Sequence, residues 1–310
     1  MIIIHLKHKV FLLFLMRYTQ AKNAQLVLED GTIFSGKSFG YEGAVSGEVV
    51  FNTGMVGYPE NLTDPSYKGQ ILTLTYPLIG NYGVPDTAAK KDDLLEFFES
   101  DKIHITGLIV SEYSFEYSHW NAKKSLSGWL IENKVPALFG IDTRALTKIL
   151  REKGTMLGKI VFDDADTDLY DPNQENIVDE VSIKEKKIYG KGRYRILLID
   201  CGVKYSIIRC FLKRDCTVIR VPWDHDFSGE EYDGLFISNG PGDPKMCKRT
   251  IENLQKALDQ DKPIFGICLG NQLISLAAGA DTFKLKYGHR SQNQPCIMAG
   301  TSKCFITPQN

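Results

Sequence analysis

From Arg195 onward, short apolar runs alternate with stretches of helical length. Four runs have the length and composition of buried strands: Arg195–Asp200, Thr217–Val221, Gly234–Ser238 and Pro263–Ile267. The helical stretches between them are Tyr205–Arg214 and Arg249–Gln260. Because this alternation is typical of parallel strands joined by crossover helices, it predicts an α/β domain with a doubly wound sheet. Reactive groups in such sheets lie at the carboxyl ends of the strands.

A single cysteine follows the last of these strands, in the stretch Gly266-Ile267-Cys268-Leu269-Gly270-Asn271-Gln272. A helix is predicted from Gln272 to Ala278. A tight turn from strand to helix projects a nucleophile, and glycines on either side avoid clashes. The helix dipole favours a thiolate at this position, so we expect a lowered pKa for Cys268. The pattern predicts a nucleophile here, whereas the other six cysteines are interpreted as packing residues.

A second glycine-rich motif follows the strand Gly234–Ser238 and reads Ser238-Asn239-Gly240-Pro241-Gly242-Asp243-Pro244. Alternating Gly and Pro give a rigid loop whose backbone N–H groups can converge on one oxygen, as acyl transfer requires. Alone, the motif could equally be a plain turn. Next to a cysteine elbow in the same sheet, it predicts an oxyanion hole.

The front part of the chain predicts a separate, mixed α/β domain. Its strands are predicted at Gln25–Leu28, Thr32–Phe34, Glu48–Asn52, Ile71–Thr75 and Ile105–Ser111. Its helices are predicted at Asp92–Glu99, Lys124–Asn133 and Asp142–Lys153, the last with Asp142 as N-cap and Gly154 as its end.

The charge pattern suggests four segments. We expect an N-terminal extension at 1–24, a first domain at 25–183, a linker at 184–194 and a second domain at 195–310. The extension is basic, contains no acid, and has an apolar run at 10–16 that is too short to span a membrane. It is either a poorly structured extension or an organellar presequence.

Composition excludes several classes of protein. The chain has 37 basic and 38 acidic residues and no basic patch, so nucleic acid is not an expected partner, and neither is a membrane. Seven cysteines, an odd number, all lie between Cys201 and Cys304, which favours a reducing compartment over a disulfide scaffold.

The two motifs together resemble those of the class I glutamine amidotransferases, whose domain is flavodoxin-like. The front domain resembles the small subunit, or glutaminase region, of glutamine-dependent carbamoyl-phosphate synthetase. Its motifs are most similar to those of the animal-type multifunctional protein of pyrimidine synthesis. The resemblance runs from about residue 25 to 310. The stretches that carry it in the front domain include LVLEDG (26–31), GEVVFNTGMVGYPE (47–60), TDPSY (63–67) and GQILTLTYPLIGNYG (69–83).

The resemblance implies a mechanism. Cys268 would attack the side-chain amide of glutamine and form a thioester, releasing ammonia. The residues that match glutamine-binding positions are Ser66, Gly240, Gly242, Leu269, Gln272 and Asn310. Ammonia would pass to a synthetase large subunit or a fused synthetase domain. That partner uses ATP, Mg²⁺ and bicarbonate, and no metal or cofactor is expected in this chain.

One part of the family pattern is absent from this chain. The general base His and its Glu follow a Q-N-H-G motif, whereas the chain stops at Pro308-Gln309-Asn310. His289, the only histidine after Cys268, matches a region that is not catalytic. We therefore expect a second domain that lacks its C-terminal part. The alternative is a catalytically inactive module that regulates or binds the synthetase. Pyrimidine and arginine synthesis both remain open, and a cytoplasmic location is expected, with mitochondria as the alternative.

Overall fold

The computed structural model describes residues 19–288 and 290–309. The expectation for the N-terminal extension falls mostly on residues 1–18, which lie outside the described residues, as do His289 and Asn310. Within the described part of the chain, no helix is both long and apolar enough to cross a bilayer.

The front domain is built around a closed barrel. Its strands are β1 (Asn23–Leu28), β2 (Ile33–Ser38), β3 (Val45–Asn52), β4 (Gln70–Leu74), β5 (Lys90–Lys91), β6 (Leu94–Leu95), β7 (Gly107–Val110), β8 (Ala137–Phe139) and β9 (Met156–Phe162). Seven of these strands close the barrel in the order β1-β2-β8-β7-β4-β3-β9. Neighbouring residues of β4, Ile71 and Leu72, point to opposite faces and belong to two different core clusters, so the strand is buried on both faces.

Three helices of this domain are α1 (Tyr58–Thr63), α2 (Leu126–Glu132) and α3 (Thr143–Lys153). Asp142 caps α3, because its Oδ1 accepts a hydrogen bond of 2.8 Å from the backbone N–H of Ala145. Gly154 ends the helix with a φ of 110°. The predictions of α2, α3 and the five front strands are confirmed.

The helix predicted at Asp92–Glu99 is wrong. Asp92 and Asp93 have φ values of 55° and 61°, and they turn the chain so that β6 pairs with β5 in a two-stranded ribbon. Both leucines of β6 are buried in the core. The left-handed conformation of these two acidic residues, which is common for Asp in turns, prevents them from beginning a helix.

The second domain is an α/β sheet. Its strands are β10 (Lys187–Tyr189), β11 (Tyr194–Asp200), β12 (Cys216–Pro222), β13 (Gly234–Ile237) and β14 (Ile264–Gly266), followed by the hairpin of β15 (Ser291–Ile297) and β16 (Cys304–Gln309). The short helix α4 (Val178–Val181) precedes this sheet, and the helices of the sheet are α5 (Tyr205–Leu212), α6 (Lys248–Leu258) and α7 (Leu269–Ala277).

The five-stranded sheet has the order β10-β12-β11-β13-β14, and all of its pairs are parallel except β10 with β12. Helix α5 contributes Ile208 to one face of the sheet, and α6 and α7 contribute Leu254 and Leu273 to the other. The predicted doubly wound sheet is therefore confirmed. Ile208 also belongs to the same core cluster as residues of the barrel, so the two domains share a continuous apolar core.

The stretch 184–194, which we expect to be a linker between the two domains, includes an ordered strand. It contains β10, which pairs with β12 and buries Tyr189 in the shared core. Lysine is common on edge strands, so the high lysine content of this stretch does not exclude a three-residue strand at the edge of the sheet. The exact domain bounds stay a prediction.

Candidate active site

Cys268 stands at a strained turn between β14 and α7. Its backbone has φ 54° and ψ −113°, which a residue with a side chain rarely adopts. Backbone strain of this kind is concentrated at functional sites. The nucleophile elbow predicted from the sequence has this strand–turn–helix geometry.

The two glycines beside the cysteine allow this turn to form. A Cβ on Gly266 would lie 2.4 Å from the backbone of Gly270. A Cβ on Gly270 would lie 2.2 Å from the carbonyl oxygen of Ile237, at the end of β13. Any side chain at either position would therefore push α7 away from the sheet, and the thiol with it.

The expected lowering of the Cys268 pKa is wrong. Burial of the thiol raises its pKa, and the nearby carboxylate of Asp64 adds to that increase. The backbone N–H of Leu269 and the cation of Lys204 act in the opposite direction but do not outweigh burial. The residue is nevertheless open on one side, toward a cavity. The sequence predicted that the thiol lies at a helix N-terminus, whereas the pKa of the thiol also depends on the residues that surround it in the fold.

That cavity lies between the two domains and has a volume of about 510 Å³. Its walls are formed by Asn52, Glu60, Asn61, Asp64, Ser66, Glu99, Lys204, Asn239, Ile267, Cys268, Ser291 and Gln309. The front domain and the second domain thus both contribute polar side chains around the thiol. A cavity of this size, lined largely by residues of polar type, matches a small polar molecule.

Ser66 comes from the front domain, as expected. It lies in the short 3₁₀ turn Pro65–Tyr67, where Asp64 Oδ1 accepts a hydrogen bond of 2.9 Å from its backbone N–H. The turn thereby holds Ser66 at the wall of the cavity. Asp64 itself is 2% exposed, and burial raises its pKa, while Lys204 Nζ lies 3.6 Å from its Oδ2 and opposes that increase.

The glycine-rich loop lies at the carboxyl end of β13, next to the elbow. A Cβ on Gly240 would lie 2.0 Å from the carbonyl oxygen of Cys201 and 2.8 Å from Leu269 Cδ2. Gly242 has a φ of 81°, which also favours glycine. The loop is therefore packed between the end of β11 and the beginning of α7, where only a residue without a side chain fits.

The remaining predicted residues have different positions. Leu269 is buried, and its backbone N–H points to the thiol of Cys268. Gln272 lies on the first turn of α7 with an exposed side chain that is not part of the cavity wall. Asn310 and His289 lie outside the described residues. His225 forms a pair with Glu230 at 3.0 Å and is not part of the cavity wall.

Sequence reasoning missed several residues of the cavity, above all Asp64, Glu99, Lys204 and Asn239. Asn239 lies within the glycine-rich motif Ser238–Pro244, and this position next to the predicted oxyanion hole could have identified it. The others come from three separate segments that only the fold brings together. Within residues 19–288 and 290–309, no group of three or more His, Cys, Asp or Glu side chains is arranged to hold a metal ion.

Comparison with known families agrees with this geometry. Residues 26–160 match the family model described as "Carbamoyl-phosphate synthase small chain, CPSase domain", and residues 197–310 match "Glutamine amidotransferase class-I". These two ranges correspond to the barrel domain and to the domain that contains Cys268.

Curated relatives are similar along nearly the whole chain. "Multifunctional protein CAD" of Squalus acanthias is 56% identical over 93% of this chain, and human "Carbamoyl-phosphate synthase [ammonia], mitochondrial" is 51% identical over 94%. "Multifunctional protein URA2" of Saccharomyces cerevisiae is 48% identical over 95%. The matched part is 13%, 20% and 15% of these three proteins, so the chain spans a minor part of their length. The chain belongs to the carbamoyl-phosphate synthase small-chain family, with a class I glutamine amidotransferase domain at residues 197–310.

Proposed function

We propose that this chain is the glutamine amidotransferase component of carbamoyl-phosphate synthesis. The observation that carries the proposal is the position of Cys268, whose strained turn opens into a polar cavity shared with Ser66 of the front domain. The barrel matches the small-chain family model of carbamoyl-phosphate synthase. This match supports carbamoyl phosphate, rather than another product, as the compound made from the released ammonia.

In the proposed reaction, the thiolate of Cys268 attacks the side-chain amide carbon of glutamine. A C–S bond forms, and the electron pair of the C=O bond moves to oxygen. The backbone N–H of Leu269, together with Gly240 and Gly242, would stabilise that oxyanion. Collapse of this intermediate breaks the C–N bond and releases ammonia once the nitrogen has gained a proton. Water then hydrolyses the thioester to glutamate.

The proton transfers in this reaction need a general base. Among the described residues that line the cavity there is no histidine, and burial raises the pKa of Cys268. A partner base is worth orders of magnitude in rate to a nucleophile, so the rate of turnover depends on a base that reaches Cys268. Retention of the strained elbow disfavours the alternative of an inactive module, since such a module has no need of it.

We further propose that the ammonia is used by a synthetase that is either a separate large subunit or fused to the same polypeptide. The multifunctional relatives support the fused arrangement. ATP, Mg²⁺ and bicarbonate would bind to that synthetase and not to this chain. The relative whose name includes "[ammonia]" supports ammonia as the molecule that is transferred.

For the compartment, we propose the cytoplasm. The support is chemical: the cysteines of the described chain are free, which is typical of a reducing environment. The relative named "mitochondrial" makes the mitochondrial matrix the second candidate. Imaging of the tagged protein in its own cells, beside markers for both compartments, distinguishes the two.

The glutaminase proposal is tested by incubating the purified chain with an electrophilic glutamine analogue that carries a diazoketone group in place of the side-chain amide. The adduct is located by peptide mass spectrometry. We expect labelling at Cys268, protection by glutamine but not by asparagine, and no labelling of Cys268→Ser. Cys210→Ser is a matched control, because this exposed thiol on α5 lies outside the cavity wall. Equal labelling of all exposed thiols, without protection by glutamine, would contradict the proposal.

A further inference from the structure

The part of the chain between α7 and β15 lies against the barrel. We call residues 279–288 and 290 the connector. The backbone N–H of Thr155 donates a hydrogen bond of 2.9 Å to the carbonyl oxygen of Lys286. The backbone N–H of Thr53 donates one of 3.1 Å to the carbonyl oxygen of Arg290. Two barrel residues therefore hold the backbone of the connector.

A salt bridge also holds the connector to the barrel strand β3. Lys284 Nζ contacts Oε1 of Glu48, and Oε2 of the same carboxylate accepts a hydrogen bond of 2.8 Å from Gln70 Nε2. The side chain of Lys284 is 59% exposed, but that of Glu48 is only 8% exposed. A buried carboxylate is costly without a partner that neutralises it, whereas a fully exposed pair contributes little. Glu48 is therefore a firm anchor for the connector.

The connector leads directly into the wall of the cavity. Ser291, which follows Arg290, is 4% exposed and lines the cavity together with Cys268. The Arg290 cation acts on two groups of this region, because it opposes the raised pKa of the Cys268 thiol and that of the buried Tyr67 phenol. Electrostatic effects weaken with distance, so the position of the connector decides how strongly Arg290 acts on the thiol.

Arg290 is one of several groups that act on the pKa of Cys268. Burial has the largest effect and raises the pKa, and Asp64 adds to that increase. The backbone N–H of Leu269 and the cations of Lys204 and Arg290 lower it. Of these groups, Arg290 is the one that lies on the connector, so its effect depends on the anchors that the barrel provides.

We propose that Glu48 is a positioning residue for the candidate nucleophile. Through its salt bridge with Lys284, it holds the connector against the barrel, and the connector holds Arg290 and Ser291 at the cavity. Glu48 is not among the described residues that line the cavity, so it acts through the connector. This inference rests on the proposed function, since it assumes that Cys268 is the nucleophile.

The first variant to test is Glu48→Gln, which keeps the shape of the side chain and removes its charge. The weakened anchor should let Arg290 move away from the thiol. The rate of iodoacetamide reaction at the Cys268 peptide, quantified by mass spectrometry as a function of pH, gives the midpoint. We expect the midpoint to rise by about 0.5 pH unit, which corresponds to a reaction about 3-fold slower at pH 7.

The sign of the shift distinguishes positioning from a direct charge effect. Loss of the negative charge of Glu48 would by itself favour the thiolate of Cys268 and lower the midpoint. Only movement of the connector raises it. Lys284→Met, which removes the partner at its exposed end, keeps the inference testable if Glu48→Gln does not fold, and it should also raise the midpoint.

Asp281→Asn is the matched control. Asp281 also lies on the connector, but its partner is Lys245 of the second domain, at 2.7 Å, in an exposed pair. We expect an unchanged midpoint for this variant. Hydrogen exchange at the amides of Thr53 and Thr155, which donate to the connector, should be faster in Glu48→Gln and unchanged in Asp281→Asn.

A double-mutant cycle with Arg290→Met tests whether the effect passes through the connector. Arg290→Met should itself raise the midpoint, and Glu48→Gln should cause no further rise in that background. An equal rise in both backgrounds would overturn the inference, as would an unchanged or lowered midpoint in Glu48→Gln alone. Failure of the glutamine analogue to label Cys268 in the unmodified chain would instead refute the proposed function, so the two failures are distinguishable.

Discussion

Asp200 and Arg220 form a buried ion pair between β11 and β12, with Arg220 Nη2 2.7 Å from Asp200 Oδ2. Asp200 is fully buried at the carboxyl end of β11, and its Oδ1 accepts the backbone N–H groups of Gly202 and Val203. Burial alone would lower the pKa of Arg220, but Asp200 and Tyr189 raise it above its usual range. The pair thus holds the loop to which Asn239 is bonded.

We predict that Asp200→Asn lowers the free energy of unfolding by about 3–5 kcal/mol, because it leaves the Arg220 cation buried without its partner. Urea unfolding followed by circular dichroism measures the change. Glu252→Gln is the control, since it removes one member of the exposed pair Arg249–Glu252 and should cost less than about 1 kcal/mol. Similar losses in the two variants would show that Arg220 reaches water or another acceptor.

The strain at Cys268 predicts an unusual order of stability among its variants. Cys268→Gly should be more stable than Cys268→Ala by about 1 kcal/mol. Glycine removes backbone strain of about 1–3 kcal/mol from the folded state, but it also increases the conformational entropy of the unfolded chain, which offsets part of this gain. Cys210, inside helix α5, provides the control with the opposite sign. There, glycine should be less stable than alanine by about 1 kcal/mol. If Cys268→Ala is the more stable of the two variants, the turn is not strained.

The charges around Cys268 predict opposite shifts of its pKa in two variants. Asp64 raises and Lys204 lowers this pKa, so Asp64→Asn should lower the pKa and Lys204→Met should raise it. The rate of iodoacetamide reaction at the Cys268 peptide, followed from pH 6 to 10, gives the midpoint for each protein. In the unmodified chain we expect a midpoint above the usual thiol value of about 8.5. Shifts in the same direction for both variants would contradict the assignment of these two neighbours.

The close packing of Gly240 predicts that one methyl group disrupts the glycine-rich loop. In Gly240→Ala, the new Cβ would lie 2.0 Å from the carbonyl oxygen of Cys201, so the loop or the end of β11 must move. We expect a stability loss of about 1–3 kcal/mol and at least 10-fold slower labelling by the glutamine analogue. Gly229→Ala is the control, because no atom lies within 4 Å of its added Cβ. Thermal unfolding and adduct formation measure the two effects, and normal labelling of Gly240→Ala would argue against a role for this loop.

Buried His104 predicts a loss of stability in mild acid. Burial, together with Lys102 and Lys68, lowers its pKa from 6.5 to about 3. In the unfolded chain His104 is therefore protonated below about pH 6.5, whereas in the folded chain it stays neutral until about pH 3. The free energy of unfolding consequently decreases as the pH falls from 6.5 toward 3. At pH 5 the loss from this group should be about 2 kcal/mol.

His104→Gln should flatten the stability profile between pH 7 and pH 5, as measured by urea unfolding at each pH. Exposed His119 provides the control, and His119→Gln should leave the slope unchanged. Equal slopes in the unmodified chain and in His104→Gln would mean that His104 is protonated in the folded state.

Local patterns in the sequence were sufficient where a residue's neighbours along the chain decide its conformation. The strand–helix alternation after Arg195 and the cap of α3 by Asp142 are of this kind, because periodicity and capping act within a few residues. The same local reasoning failed at Asp92–Glu99. There, two left-handed residues and burial of both Leu94 and Leu95 produce a β-ribbon, and burial is a property of the whole fold.

The sequence by itself predicted which cysteine is the candidate nucleophile, and it determined the fold that presents this residue. A cysteine between two glycines, after one strand and before one helix, has few alternatives, because only small residues permit that turn. The tertiary structure alone decided what surrounds the thiol. Asp64, Lys204 and Asn239 come from separate segments, and their electrostatic effect depends on distance and burial rather than on spacing along the chain. For that reason the sequence predicted a lowered thiol pKa, whereas the assembled cavity raises it.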